Sequence, residues 1–130
     1  MKVKVYILQR KSEEEILNFV LRSLKFISIK RFINNSETKI LINPNWVTSD
    51  HFSTGNITST DTLEGIVSYL IQEAKIEPSK IIVADGGSFG ITDKFFKLND
   101  LFRLEDYGIE LRDLNHDEIV SDINISYPLS

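Results

Sequence analysis

The residues best suited to chemistry follow an apolar segment near the middle of the chain. Residues 81–84 are apolar and rich in β-branched side chains, which is typical of a strand buried on both faces. Asp85, Gly86, Gly87 and Ser88 follow immediately. A carboxylate can accept a hydroxyl or hold a cation, and the amides of a glycine turn can donate to an anion. A buried strand that runs into such a turn predicts a ligand site.

Polar residues also lie at the ends of two other strands that we predict, at residues 39–42 and 109–114. Because the carboxyl ends of parallel strands meet at one edge of a sheet, we expect these residues to lie beside the glycine turn. The expected ligand is small and polar or anionic, such as a nucleotide or phosphate-like molecule bridged by Mg²⁺. The sequence does not identify a cofactor. The predicted ligand-binding set is Asn43, Asn45, Asp85, Gly86, Gly87, Ser88, Asp113 and Asn115.

The glycine turn also fits two known motifs in part. It supplies the second half of a dinucleotide fingerprint, but Asp85 occupies the place of the first glycine, and no Gly-Lys-Ser/Thr follows to make a P-loop. Residues 86–90 match the G-x-S-x-G nucleophile elbow, with Ser88 as the nucleophile. Asp113 and His116 follow in the hydrolase order. These two are only three residues apart, whereas hydrolases take the acid and the base from separate loops. The spacing therefore argues against a serine hydrolase, which we keep only as an alternative.

Acidic residues surround His116, and a group of carboxylates and imidazole can bind Mg²⁺, Mn²⁺ or Zn²⁺. A single histidine in a polar turn is more often a solvated surface residue, and the same applies to His51 in the loop at residues 46–58. We therefore assign no metal ligands. That loop is longer than most connections in compact domains, and loops of such length are often functional.

Length and composition are those of an ordinary globular domain. The chain has 130 residues, which predicts a single α/β domain over residues 1–130. Its net charge is −4 and it has no basic run, which argues against nucleic-acid and anionic-membrane partners. It has no cysteine, which excludes disulfides, thiolate metal sites and cysteine nucleophiles. A cytoplasmic location is expected, because we find no signal-peptide pattern and no long apolar span.

Hydrophobic periodicity predicts strands that alternate with helices. A capping box at Ser12 to Glu15 is expected to open the first helix, and Asn99-Asp100 to interrupt the last helical region. This β-α-β order predicts a Rossmann-like, three-layer α/β fold with a mainly parallel sheet of four to five strands and about three helices. The predicted strands are residues 3–8, 39–42, 81–84, 109–114 and 123–127, and the predicted helices are residues 12–27, a segment starting at Thr58, Ser59 or Asp61, and residues 92–106.

Four short segments occur in a recognisable order. They are residues 40–47 (ILINPNWV), 58–61 (TSTD), 82–86 (IVADG) and 108–115 (GIELRDLN). Together they resemble the amino-terminal half of domain-of-unknown-function family 362, over roughly residues 37–120. Asn43 stands where that family usually has lysine, so an anion contact by that lysine does not carry over. Many relatives are linked to ferredoxin-type iron–sulfur modules, which implies an iron–sulfur partner protein, because a chain without cysteine cannot hold such a cluster itself.

Three functions stay open at this point. The first is a non-catalytic domain that binds a small ligand at the carboxyl edge of the sheet. The second is an enzyme, either a hydrolase that uses Ser88 or a redox-associated subunit. The third is an assembly module whose exposed sheet face contacts a second copy, as in a homo-oligomer, or another protein.

Overall fold

A computed structural model describes residues 5–33, 39–86 and 92–116, and within these ranges the protein is a mixed α/β fold. The strands form a small parallel sheet, and short 3₁₀ segments join several of the elements. No helix in these ranges is long and apolar enough to cross a bilayer. The helices and strands are α1 (Ile16–Ile27), β1 (Ile40–Ile42), α2 (Thr60–Gln72), β2 (Ile81–Asp85), α3 (Thr92–Leu98) and β3 (Glu110–Asp113).

The sheet has the order β1-β2-β3, and both strand pairs are parallel. Strand β2 lies in the middle, and its Ile81 and Val83 side chains are completely buried, as the apolar sequence of this segment predicts. One face of the sheet packs into the hydrophobic core through these residues and their cross-strand neighbours Ile40, Ile42 and Leu111. The other face carries Leu41, which is 60% exposed.

Helix α2 supplies much of the core that covers the packed face of the sheet. The Ser59 side chain accepts a hydrogen bond of 3.3 Å from the backbone N–H of Thr62 and so caps the helix. Leu63, Val67 and Leu70 are buried at the spacing of one helical face. Of the predicted starts for this helix, the one at Ser59 is confirmed.

Helix α1 begins at Ile16, so the predicted start at residue 12 was wrong. The expected capping box does not form, because a long-range contact holds the neighbouring acid. Glu14 accepts two hydrogen bonds of 2.9 Å from the Arg22 guanidinium and one of 3.2 Å from the backbone N–H of Lys11. The N-cap residue, Glu15, makes no side-chain capping bond.

Helices α1 and α2 cross closely at Gly65. A methyl group at this position would lie 2.8 Å from Cβ of Val20 and 3.0 Å from the carbonyl oxygen of Leu17. None of the residues of α1 is itself buried. The glycine therefore allows a helix with only half-buried side chains to pack tightly against α2.

The first and the last of the predicted strands are not part of the described sheet. Residues 5–8 form no strand, and Val5 and Ile7 are 82% and 94% exposed, so the prediction for residues 3–8 was wrong over this part. Alternating apolar residues suggested a sheet face, but Tyr6 instead contacts the ring of Phe26 edge-on, with ring centres 5.5 Å apart. Residues 1–4 and the strand predicted at residues 123–127 lie outside the described residues.

The predicted break in the last helical region is confirmed. Helix α3 ends at Leu98, and Asp100 adopts a left-handed conformation with φ of 52°. The following segment, Leu101–Tyr107, is a 3₁₀ helix, and Gly108 ends it with φ of 78°. Leu101 and Leu104 are completely buried, so this segment completes the core between α2 and β3.

Candidate functional site at the carboxyl edge of the sheet

The carboxyl ends of the described strands bring most of the predicted site together. Asp85 and Asp113 are cross-strand neighbours at the ends of β2 and β3, and Asn43 directly follows β1. Asn115 lies close to the turn after β2, because a methyl group on Gly86 would be 3.8 Å from its side-chain oxygen. Two further members of the predicted set, Gly87 and Ser88, lie outside the described residues.

The Asp85 carboxylate organises the middle of this edge. Its Oδ1 accepts hydrogen bonds from Nδ2 of Asn43 at 3.2 Å and from the backbone N–H of Gly86 at 2.9 Å. Its Oδ2 accepts a bond of 2.9 Å from the backbone N–H of Trp46. A carboxylate has about four acceptor positions, so these bonds leave one for a ligand. Asp85 therefore joins the ends of two strands and the start of the long loop.

Asn43 reaches across from β1 to β2. Its Nδ2 group donates to the carbonyl oxygen of Ala84 at 2.9 Å as well as to Asp85. Both amide hydrogens are thus used inside the edge, and the Asn43 side-chain oxygen is left as an acceptor.

Asp113 is held by the short turn that follows β3. Its Oδ1 accepts 2.9 Å hydrogen bonds from both the backbone N–H and the Nδ2 group of Asn115. Its Oδ2 lies 2.7 Å from Nδ1 of His116. The Asp113 side chain is 11% exposed, whereas that of His116 is 74% exposed. The carboxylate therefore orients an imidazole whose other nitrogen is open to solvent.

Asp113 and His116 are paired in the sequence only within the hydrolase alternative, and His116 is otherwise expected to be a solvated surface histidine. The signal for their contact is the spacing of three residues at the start of the 3₁₀ turn Leu114–His116. In a 3₁₀ helix, side chains three residues apart lie on the same side. The histidine is exposed, as expected, and it contacts the Asp113 carboxylate.

Asn45 belongs to the long loop rather than to the group around Asp85. Its Nδ2 group donates to the carbonyl oxygen of Asn56 at 3.1 Å, and its backbone carbonyl accepts from the N–H of Thr58 at 3.1 Å. The two ends of the loop are therefore held together by Asn45. Its place in the predicted ligand-binding set stays a prediction.

The long loop is anchored by Asn99, a buried residue that is 2% exposed. The sequence predicts Asn99 only as part of a helix break, not as an anchor of this loop. Oδ1 of Asn99 accepts from the backbone N–H of Phe52 at 2.9 Å, and its Nδ2 donates to the carbonyl oxygens of Asp50 and Phe95, both at 3.2 Å. The Thr60 hydroxyl donates to the Asn99 carbonyl. Asn99 thus connects the loop to α3 through its side-chain amide and to the start of α2 through its backbone carbonyl.

Trp46 is the buried aromatic residue next to Asp85. It is 4% exposed, and its ring meets those of Phe95 and Phe96 at centre distances of 5.6 and 5.4 Å. Within the described part of the chain its indole N–H has no hydrogen-bond partner. Trp46 therefore packs into the core against α3.

The charge at this edge restricts what it can bind. Two carboxylates on adjacent strands repel a bare anion, and the N–H donors around Asp85 offset part of that charge. Across the residues that the structure describes, no three acidic, histidine or cysteine side chains gather closely enough to hold a metal ion. A metal ion at this edge would therefore need further oxygen ligands from the bound molecule.

Comparison with known proteins found no matching family model, no matching curated protein and no matching solved structure.

Proposed function

We propose that the carboxyl edge of the sheet binds a small polar ligand. The observation that carries this proposal is the pairing of Asp85 with Asp113 at the ends of neighbouring parallel strands, with Asn43 and Asn115 beside them. In open parallel sheets, ligands bind outside the carboxyl ends of the strands. The proposed site also includes Gly86, which directly follows β2, and the next two residues in the sequence, Gly87 and Ser88.

The groups at this edge favour a ligand that donates hydrogen bonds. They offer the remaining acceptor position of Asp85, the side-chain oxygens of Asn43 and Asn115, and the exposed imidazole of His116. A hydroxyl-bearing ligand matches these acceptors directly. A nucleotide or phosphate-like ligand would bind with Mg²⁺, because the metal ion would screen its phosphate oxygens from the two carboxylates.

One observation favours an enzyme as the second candidate. A carboxylate that holds an imidazole at 2.7 Å, as Asp113 holds His116, is the arrangement that a general base requires. In the hydrolase alternative, Ser88 is the nucleophile that this histidine activates. A redox-associated subunit and a non-catalytic assembly module remain further alternatives, and no contact in the described residues favours either.

The finer classification of the fold is also a proposal. We infer a Rossmann-like, three-layer architecture with four to five strands, and the parallel order of β1, β2 and β3 supports it. The relationship to domain-of-unknown-function family 362, and with it an iron–sulfur partner protein, is proposed on the order of the four short segments alone.

Calorimetric titration tests the binding proposal with three probes: Mg²⁺ alone, ADP with Mg²⁺, and ADP with a chelator. We expect saturable binding of ADP with Mg²⁺ and weaker binding when the metal is removed. Asn115→Ala removes one acceptor and should weaken binding about fivefold, which corresponds to one ordinary hydrogen bond. Asn18→Ala, at an exposed position of α1, is the matched control. Absence of saturation with all three probes, or equal weakening by both variants, would contradict the proposal.

A fluorophosphonate probe tests the enzyme alternative separately. Labelling of the wild type that is lost in both Ser88→Ala and His116→Ala would support a serine hydrolase. An unlabelled wild type would remove that alternative and leave the binding proposal intact.

A further inference from the structure

A cavity of about 620 Å³ lies away from the proposed ligand site. It is formed by the carboxyl end of α1, the 3₁₀ segment Ile29–Phe32 and the last turns of α2. Because α2 leads from the end of β1 back to the start of β2, this cavity lies toward the amino edge of the sheet. The residues that line it are Lys25, Ser28, Lys30, Arg31, Tyr69 and Glu73.

The lining is basic, although the whole chain has a net charge of −4. Three of the six lining side chains are cations and one is a carboxylate. Nζ of Lys25 lies 2.8 Å from Oε1 of Glu73. The pKa of Glu73 is lowered, first by its hydrogen bond with Lys25 and then by the charges of Lys25, Lys75 and Lys30. Among the described lining residues, cations therefore outnumber acids, and several of them lie close to Glu73.

Two hydroxyl groups add neutral donors to the cavity. Tyr69 is 3% exposed, and its hydroxyl accepts a hydrogen bond of 3.1 Å from the backbone N–H of Lys30. Within the described residues the phenolic proton has no acceptor, so it can be donated to a molecule in the cavity. Ser28 also lines the cavity and carries the second hydroxyl.

Ser28 is an unusual residue for its backbone position. It ends α1 with φ of 59° and ψ of 48°, and its N–H caps the carbonyl oxygens of Leu24 and Lys25. Glycine is the usual residue at such a left-handed cap, and a side chain there costs about 1 kcal/mol. A serine at this position destabilises the cap but places a hydroxyl in the lining of the cavity.

We propose that this cavity binds the phosphate group of a small phosphomonoester. The cationic side chains in the described lining can bind the charged oxygens of a phosphate group, and the tyrosine and serine hydroxyls provide further donors. The volume exceeds that of phosphate alone and lies in the range of small-molecule sites. Compensation of the helix dipole accounts for Lys25, which lies in the last turn of α1. It does not account for a buried tyrosine hydroxyl or for a serine in the left-handed conformation.

Amide NMR spectroscopy on the full chain provides the test, with inorganic phosphate, glycerol 3-phosphate and uncharged glycerol as probes. We expect glycerol 3-phosphate to shift the amides of Ser28 and Lys30 in a saturable way and to bind more tightly than inorganic phosphate, whereas glycerol should have no effect. Lys30→Ala should weaken binding about tenfold. Lys97→Ala removes the same charge from an exposed position of α3 and should leave binding unchanged.

Ser28→Gly separates the proposed binding role from a structural one. Glycine relieves the left-handed strain, so the melting temperature should rise, while the loss of the hydroxyl should weaken glycerol 3-phosphate binding severalfold. The proposal is overturned if no saturable shift occurs, if Ser28→Gly leaves affinity unchanged, or if Lys97→Ala weakens binding as much as Lys30→Ala. Equal affinity for inorganic phosphate and glycerol 3-phosphate would indicate an adventitious ion only. Shifts confined to Asp113 and Asn115 would instead report on the carboxyl edge.

Discussion

The backbone N–H of Trp46 donates a 2.9 Å hydrogen bond to the side chain of Asp85, 39 residues further along the chain. The same carboxylate accepts bonds from Asn43 and Gly86. It therefore fixes the start of the long loop to the end of the central strand. An acid that the sequence marks as a ligand-binding residue also stabilises the fold at the site.

Asp85→Ala should lower the free energy of unfolding by about 2–3 kcal/mol, because three donors lose a charged acceptor at once. Urea denaturation, followed by the fluorescence of Trp46, measures the change. Asp85→Asn keeps one acceptor oxygen and should cost less. Asp106→Ala removes an exposed acid and serves as the control. A loss no larger than that of the control would show that these bonds contribute little.

Asn99→Ala should destabilise the protein by about 3 kcal/mol. The substitution leaves the part-buried N–H of Phe52 and the carbonyl oxygen of Asp50 without this partner, whereas the carbonyl oxygen of Phe95 keeps its bond from the backbone N–H of residue 99. Unsatisfied groups that are shielded from water carry much of their desolvation penalty. Because the loop contains Trp46, its emission should shift to longer wavelength and become easier to quench with acrylamide. Asn18→Ala is again the exposed control. Unchanged quenching would argue against an anchoring role for Asn99.

Gly65→Ala should be destabilising, although alanine is the better helix former by about 1 kcal/mol. The added methyl group would contact Cβ of Val20 and the backbone oxygen of Leu17, and neither can move without displacing α1. Overpacking of this kind costs about 1–3 kcal/mol, so the net effect should be a loss of about 1 kcal/mol or more. Thermal denaturation measures it. A rise in melting temperature would mean that the helices are less tightly packed than described.

Glu14 should make stability depend on pH in the acid range. The hydrogen bonds from Arg22 lower the pKa of Glu14 from its ordinary value of 4.5 to about 2. Because the pKa of Glu14 is lower in the folded protein than in the unfolded chain, its ion pair stabilises the fold fully at pH values above the unfolded pKa. This stabilisation is lost as the pH falls from about 4.5 toward 2. Glu14→Gln should therefore be less stable than wild type at pH 7, and the difference should vanish near pH 2.

Urea midpoints measured across that pH range test this prediction. Glu13→Gln changes the neighbouring exposed acid and is the matched control. A difference between wild type and Glu14→Gln that stayed constant down to pH 2 would contradict it.

The elements with strong local signals could be predicted from the sequence. Strand β2 is a run of apolar residues that ends at an acid and glycines, and α2 combines an apolar stripe with Ser59 as its cap. Gly108 and the left-handed Asp100 mark the ends of the last helical segment. In each case the deciding residues lie within a few positions of the boundary, so periodicity and capping rules are sufficient.

The remaining features depend on contacts between distant residues. Arg22, eight residues further along the chain, binds Glu14 just before α1, where the sequence predicts a capping box of Ser12 and Glu15. The partners of Asn99 at Phe52 and Asp50 are 47 and 49 residues away. Parallel order correctly predicted that Asp85 and Asp113 would be neighbours, but not that backbone donors would occupy most of the Asp85 carboxylate. Local sequence patterns contain no information on such long-range hydrogen bonds.

The shallow burial of α1 has a consequence for how the molecule opens. This helix packs on α2 with no buried residue, whereas Leu63, Val67 and the central strand are sealed in the core. Its detachment is therefore a subglobal event that requires less free energy than complete unfolding. In native-state hydrogen–deuterium exchange, the amides of α1 should exchange ahead of those of β2. The partly opened species would uncover the Gly65 side of α2 while the three strands remain paired.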